Sequence, residues 1–142
     1  NITAYDYSSQ MILIANEKKK IAQIENVSFE VMAIEDIPKT PDAYDVIMGH
    51  SVLHLTKNNE VILKNVYDSL KHGGFFVSSS GCIKEMNFII RKILPFLSYI
   101  GKAPEITIFS SEELINLHKK VGFKIYDIWK YKNGELFLIA QK

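Results

Sequence analysis

The stretch Asp42–Thr56, DAYDVIMGHSVLHLT, runs apolar and then breaks into Gly49, His50 and Ser51, with His54 four residues after His50. Two imidazoles at that spacing admit three readings: metal ligands, a substrate-facing strand end, or two incidental histidines. A metal site needs a Cys or carboxylate set at ligand spacing beside them, and the sequence offers none, so metal is the weakest of the three. Asp6 closes another apolar run, ITAYD. A carboxylate there has two acceptor oxygens for the two hydroxyls of a ribose, or it caps the helix that follows; position alone leaves both open. The stretches Ala33–Asp36 and Ser78–Gly81 stand at the ends of two further apolar runs. Cys82, just beyond, reads by default as a small buried hydrophobe. His72, at a helix end, and His118, on a helix flank, read as structural or solvated.

These residues gain meaning from the elements that hold them. NITAYD reads as a strand and SSQMILIANEKKK as a helix, with Ser8 or Ser9 as N-cap and lysines at the end the helix dipole favours. VSFEVMAI is a second strand, and Pro38 and Pro41 punctuate a loop. YDVIMGH is a third strand, apolar enough to be covered on both faces. NNEVILKNVYDSL is a helix with Val61, Ile62, Val66 and Leu70 inward, closed by HGG. FFVSSS is a fourth strand. IKEMNFIIRKILPFLSYIG has helical spacing and a wide apolar arc, with Pro95 ending or kinking it. SSEELINLHKKVGF carries a capping box, Ser110 with Glu113, and Gly122 at its end. KIYDIWKY and LFLIAQK flank KNGE, whose Asn-Gly signals a hairpin. The order predicts an α/β fold: a doubly wound, mostly parallel sheet with an antiparallel C-terminal hairpin. In such sheets ligands bind beyond the carboxyl ends of the strands, where the residues singled out above lie.

The totals narrow the function. The chain has 142 residues, room for one domain, with 47% apolar and 23% charged residues, a soluble globular balance. A net charge of +1 gives no field for nucleic acid. One cysteine excludes an internal disulfide framework and fits a reducing cytoplasm. No secretory leader is evident, and the most apolar segment is interrupted by Lys84, Glu85, Arg91 and Lys92, which argues against a membrane span.

AYDYSSQMILIA resembles the second-strand motif of class I S-adenosylmethionine-dependent methyltransferases, an acidic residue followed by a Ser and an apolar pair. AIEDIP resembles their adenine-side loop. DAYDVIMGHSVLHLT, the helix after it and SLKHGGFFVSS resemble their fourth strand through fifth strand. FSSEELINLHKKVGFKI and the last hairpin resemble their C-terminal portion. The resemblance covers nearly the whole chain and is closest to the group with quinone C-methyltransferases and other small-molecule enzymes. It implies a Rossmann-like fold. One departure stands out: no GxGxG occurs, and the 7 glycines are scattered. The family's first strand and Gly-rich turn are thus expected upstream of Asn1. Residues 1–142 read as a single methyltransferase-like domain incomplete at its N-terminus, its strands ending at Asp6 and His50 separated by a missing strand.

The resemblance implies S-adenosylmethionine as cofactor and a small acceptor molecule as substrate. Asp6 matches the ribose-binding acid. Tyr7 and Met11 match positions lining the ribose and adenine, though a Met such as Met11 is more often core than cofactor wall. Many relatives carry Asp where this chain has Ala33; Ile34 retains its backbone N–H for the adenine ring, and of Glu35 and Asp36 one reads as the replacement acceptor for the exocyclic amine and the other as a solvated loop charge. Gly49 and His50 match the strand end beneath the methionine part. His50 then faces cofactor or acceptor, and His54 packs beside the cofactor or serves as general base; these two are the catalytic candidates. The apolar arc Met86–Ile100 reads as an acceptor cover, implying an apolar or aromatic acceptor, or else as core or a homodimer contact. Two other readings compete: a nicotinamide-dinucleotide Rossmann domain, which also explains Asp6, and an inactive methyltransferase-like scaffold that binds a partner.

Overall fold

Strands and helices alternate as expected in the computed structural model, which describes residues 1–89, 93, 106–132 and 134–142. They form two compact units, Asn1–Pro38 and Lys39–Lys142. In the first, β1 (Ile2–Asp6) pairs in parallel with β2 (Val27–Val31), in register from Ile2 opposite Val27 to Asp6 opposite Val31. Helix α1 (Ser9–Ile21) is the crossover between them. Ser8 is its N-cap: the hydroxyl accepts the Met11 N–H at 3.3 Å, satisfying one of the donors a helix start leaves open. Lys18, Lys19 and Lys20 fill the last turn, beside the negative end of the dipole. The second strand is shorter than VSFEVMAI. The Met32 N–H donates to the Asp6 carbonyl at 3.0 Å, and the chain then enters a 3-10 turn at Ile34–Asp36.

The second unit is a four-stranded mixed sheet in the order β3-β4-β6-β5. Its strands are β3 (Tyr44–His50), β4 (Leu70–Gly81), β5 (Lys124–Lys130) and β6 (Glu135–Gln141). β3 and β4 are parallel, and β6 runs antiparallel to both β4 and β5. The hairpin adds its antiparallel strands as the sequence predicts. Gly134 takes φ +82° there, and Asn133 lies outside the described residues. Helices α2 (Asn59–Ser69) and α3 (Ser111–Val121) accompany the sheet. The core sits on the face that carries Phe76, Ser78 and Ser80 of β4 opposite Ala140, Leu138 and Leu136 of β6. His118 and Leu114 of α3 are buried with them, and the Phe76 ring stacks on the His118 imidazole at 5.8 Å. Each fully buried Leu contributes about 1.5–3 kcal/mol of burial.

Several expectations need correction. HGG does not cap α2. The cap is Leu70, whose N–H returns to Tyr67 and Val66 carbonyls and which already pairs with Tyr44 as the first residue of β4. The glycines serve an irregularity in the ladder instead: a Cβ on Gly74 would lie 2.9 Å from the Lys71 carbonyl oxygen and 3.0 Å from that of Asp45. Val61 points outward, since the buried face of α2 is set by Ile62 and Leu63. β3 is not covered on both faces. Val46 and Met48 remain 52% and 59% exposed, because β3 is an edge of its sheet. His118 is fully buried rather than flanking. Of the predicted helix around Met86–Ile100, Ile83–Glu85 form a 3-10 turn and Phe88, Ile89 and Ile93 are helical and exposed, while Pro95 and most of the arc lie outside the described residues.

Candidate functional site

Two parallel strand ends carry the chemistry, one in each unit. In the first, the shared register of β1 and β2 puts Asp6 beside Val31 at the carboxyl end of both strands. Asp6 Oδ1 accepts the Ser8 N–H at 2.8 Å, which fixes the turn into α1. The cap-like role weighed from sequence is therefore real, but it uses one oxygen. Oδ2 has no hydrogen bond among the described residues, and the residue is half-buried. Tyr7, 70% exposed, and Met11, 53% exposed, follow on the start of α1. Met11 is a surface residue and not core. After β2 the 3-10 turn begins at Ile34, where the first N–H groups of a helical turn lack partners within it. Glu35 is exposed on that turn. The structure thus gathers Asp6, Tyr7, Met11, Ile34 and Glu35 around one pair of strand ends.

In the second unit β3 ends at His50, directly opposite Ser79 of β4. His50 Nδ1 lies 3.2 Å from Ser79 Oγ. Ser51 then takes φ +53°, a left-handed conformation rare for a residue with a side chain, and its N–H donates to the Ser79 carbonyl at 2.9 Å. That sharp exit folds the chain into a 3-10 turn, Leu53–Leu55, anchored by fully buried Leu53. It brings His54 Nδ1 to 3.4 Å from the Gly81 N–H at the end of β4. The His54 carbonyl accepts the Thr107 N–H at 2.8 Å. Burial holds the His54 ring below its ordinary pKa. Both histidines are therefore fastened to the last turn of β4. Ser51 had no signal in sequence, because a left-handed Ser looks like any other Ser.

Gly49 has a packing reason of its own: a Cβ there would lie 3.2 Å from the Phe76 ring. Its place in β3 follows from the core, while its backbone remains at the strand end. Cys82 is buried, and burial pushes its thiol up to about 11, so it is no nucleophile at neutral pH. Among the described residues no group of three His, Cys, Asp or Glu is placed to hold a metal. A cavity of about 1040 Å³ lies between α2 and α3, lined by Asn59, Val61, Ile108, Leu114 and Leu117. None of the strand-end residues lines it.

The residues fit a nucleoside at the first strand end. A rigid carboxyl oxygen is open beside Ser8, a turn presents backbone N–H groups, and the surrounding side chains are exposed. The chain is 37% identical over 67 residues to the hybrid PKS-NRPS synthetase iliA of Neonectria sp., a span of 44% of this chain and 2% of that protein. It is 29% identical over 80 residues to the malonyl-[acyl-carrier protein] O-methyltransferase of Bacillus cereus, or 56% of this chain and 28% of that one. It therefore spans under a third of the length of either relative. In fold it is similar to an S-adenosylmethionine dependent methyltransferase from Mesorhizobium loti, with TM-score 0.81 at 14% identity over 99% of this chain and 79% of the other. No helix of the described residues is long and apolar enough to cross a membrane. The methyltransferase domain family matches residues 1–128, and the chain belongs to that family.

Proposed function

We propose that the chain is a single methyltransferase-like domain acting in methyl transfer from S-adenosylmethionine to a small, apolar or aromatic acceptor. The observation that carries the reading is the divided carboxyl of Asp6, one oxygen fixed by Ser8 and the other open at the end of β1. Asp6 holds ribose hydroxyls, Tyr7 and Met11 flank the nucleoside, and Ile34 and Glu35 meet the adenine edge. Gly49 and His50 attend the methionine part, and His50 and His54 face the acceptor. When bound, the cofactor supplies a methyl group on a cationic sulfonium. The chain's own part is to orient, since in-line placement at near contact supplies most of the barrier reduction. Exposed Phe88, Ile89 and Ile93 support an apolar acceptor. Likeness to the Bacillus cereus relative supports a second acceptor class, an oxygen of a carrier-bound malonyl group.

Titration calorimetry with S-adenosylhomocysteine tests the reading. The full-length protein, with the Gly-rich turn, is expected to bind it, and Asp6→Ala in that protein to weaken binding by about 1.5–3 kcal/mol, the range for hydrogen bonds to a charged group. Equal affinity in the variant would sink the Asp6 assignment. Binding of NADH in its place points to the nicotinamide reading, and binding of neither to the scaffold.

A further inference from the structure

His50 and His54 reach β4 through the same ring atom but to partners of different chemistry. The partner of His54 Nδ1 is the Gly81 backbone N–H, a group that only donates. Nδ1 must then carry the lone pair, and the ring proton sits on Nε2. Such a ring offers a donor outward and has no second lone pair for a proton. The partner of His50 Nδ1 is the Ser79 hydroxyl, which both donates and accepts. With Ser79 Oγ accepting from Nδ1–H, His50 presents the Nε2 lone pair outward. Register makes this pairing firm: His50 and Ser79 are directly opposed on parallel strands, and Ser79 is itself buried.

We propose that the two histidines divide the work at this strand end: His50 takes the proton that leaves the acceptor, Ser79 is its positioning residue, and His54 is a fixed hydrogen-bond donor. The identity of that proton rests on the methyl-transfer reading above; the assignment of ring protons does not. The acceptor is then one with an O–H or N–H. Its bond to hydrogen breaks, the proton joins His50 Nε2, and the electron pair left on the acceptor atom forms the bond to the methyl carbon. The pair of the broken carbon–sulfur bond stays on sulfur, so a sulfonium becomes a neutral thioether and the imidazole an imidazolium. The imidazolium still donates Nδ1–H to Ser79, so its new charge is not left without a partner.

Imidazole nitrogen spectra of the chain with ¹⁵N-labelled histidine, at neutral pH, read the ring protons directly. The Nε2–H pattern is expected for His54 and a populated Nδ1–H form for His50. Ser79→Ala should move His50 to the Nε2–H pattern and leave His54 unchanged, the latter also showing that the variant is folded. Ser79→Thr keeps the hydroxyl and should restore the His50 pattern. A His50 signal indifferent to Ser79→Ala, or a His54 proton on Nδ1, would overturn the proposal. Failure of S-adenosylhomocysteine to bind the full-length protein would remove the methyl-transfer reading and with it the role of His50 as proton acceptor, whatever the ring pattern.

Discussion

His118 sits inside the core with its Nδ1 against the Leu114 carbonyl at 2.8 Å and its Nε2 buried without a partner among the described residues. The carbonyl fixes the proton on Nδ1, and the ring packs against both Phe76 and Phe123, which also touch each other. Burial lowers its pKa, and the Leu114 bond opposes that shift only in part. The sign follows from linkage. A histidine whose folded pKa lies below its unfolded value binds more protons when unfolded. Its contribution is whole above the ordinary value near 6.5 and is lost as pH falls through the folded pKa. Urea midpoints are therefore expected to drop between pH 7.5 and 5.5, and His118→Leu to flatten that drop. His54, shifted the same way, accounts for what slope persists. A slope equal in both proteins would count against His118 as its source. The sequence showed His118 only as a polar residue on a helix flank. The turn of α3 that buries it is set by Leu114 and Phe123, and the aromatic contact with β4 is a tertiary event that no local pattern records.

At the scale of elements, the local signals that were read correctly are those that satisfy backbone groups within a few residues. In α3 the Ser110 Oγ accepts the Glu113 N–H at 3.2 Å and Glu113 returns to the Ser110 N–H at 2.8 Å, the box the sequence spelled out. Ser110→Ala should cost about 1 kcal/mol of stability, measured as a shift in urea midpoint at constant slope. The exposed Lys84–Glu113 pair beside it should matter far less, since such pairs are screened by solvent. A second anchor was not legible. Glu85, from a different turn, accepts both the N–H and the hydroxyl of Ser111 and is held below the usual carboxylate range chiefly by that hydroxyl. Its partner is 26 residues away, beyond the reach of any helix-start rule. The same limit explains Gly73 and Gly74, which look like a helix stop until the ladder with β3 places them at an irregularity in β4.

For the molecule as a whole, the strand-end rule placed the candidate residues in the fold because it depends on topology, and strand and helix alternation made the topology plain. It assigned Asp6, Ile34 and His50 to strand ends, and the structure puts them there. What it could not give was which atom each side chain uses, the difference between a carboxyl spent on Ser8 and one left open. If the site works through these groups alone, S-adenosylhomocysteine affinity should be the same with and without EDTA. A loss restored by a divalent cation would place a metal at the histidines after all. The order β3-β4-β6-β5 has a further meaning for how the protein is made. β6, made after β5, is seated in the interior of its sheet and is the partner of both β4 and β5. Until Glu135–Gln141 leave the ribosome, β5 has no strand beside it and the inner edge of β4 is bare. The second sheet therefore closes by insertion after translation of the whole hairpin, and for that interval the nascent chain displays the Phe75–Gly81 edge to whatever chaperone or neighbouring chain meets it first.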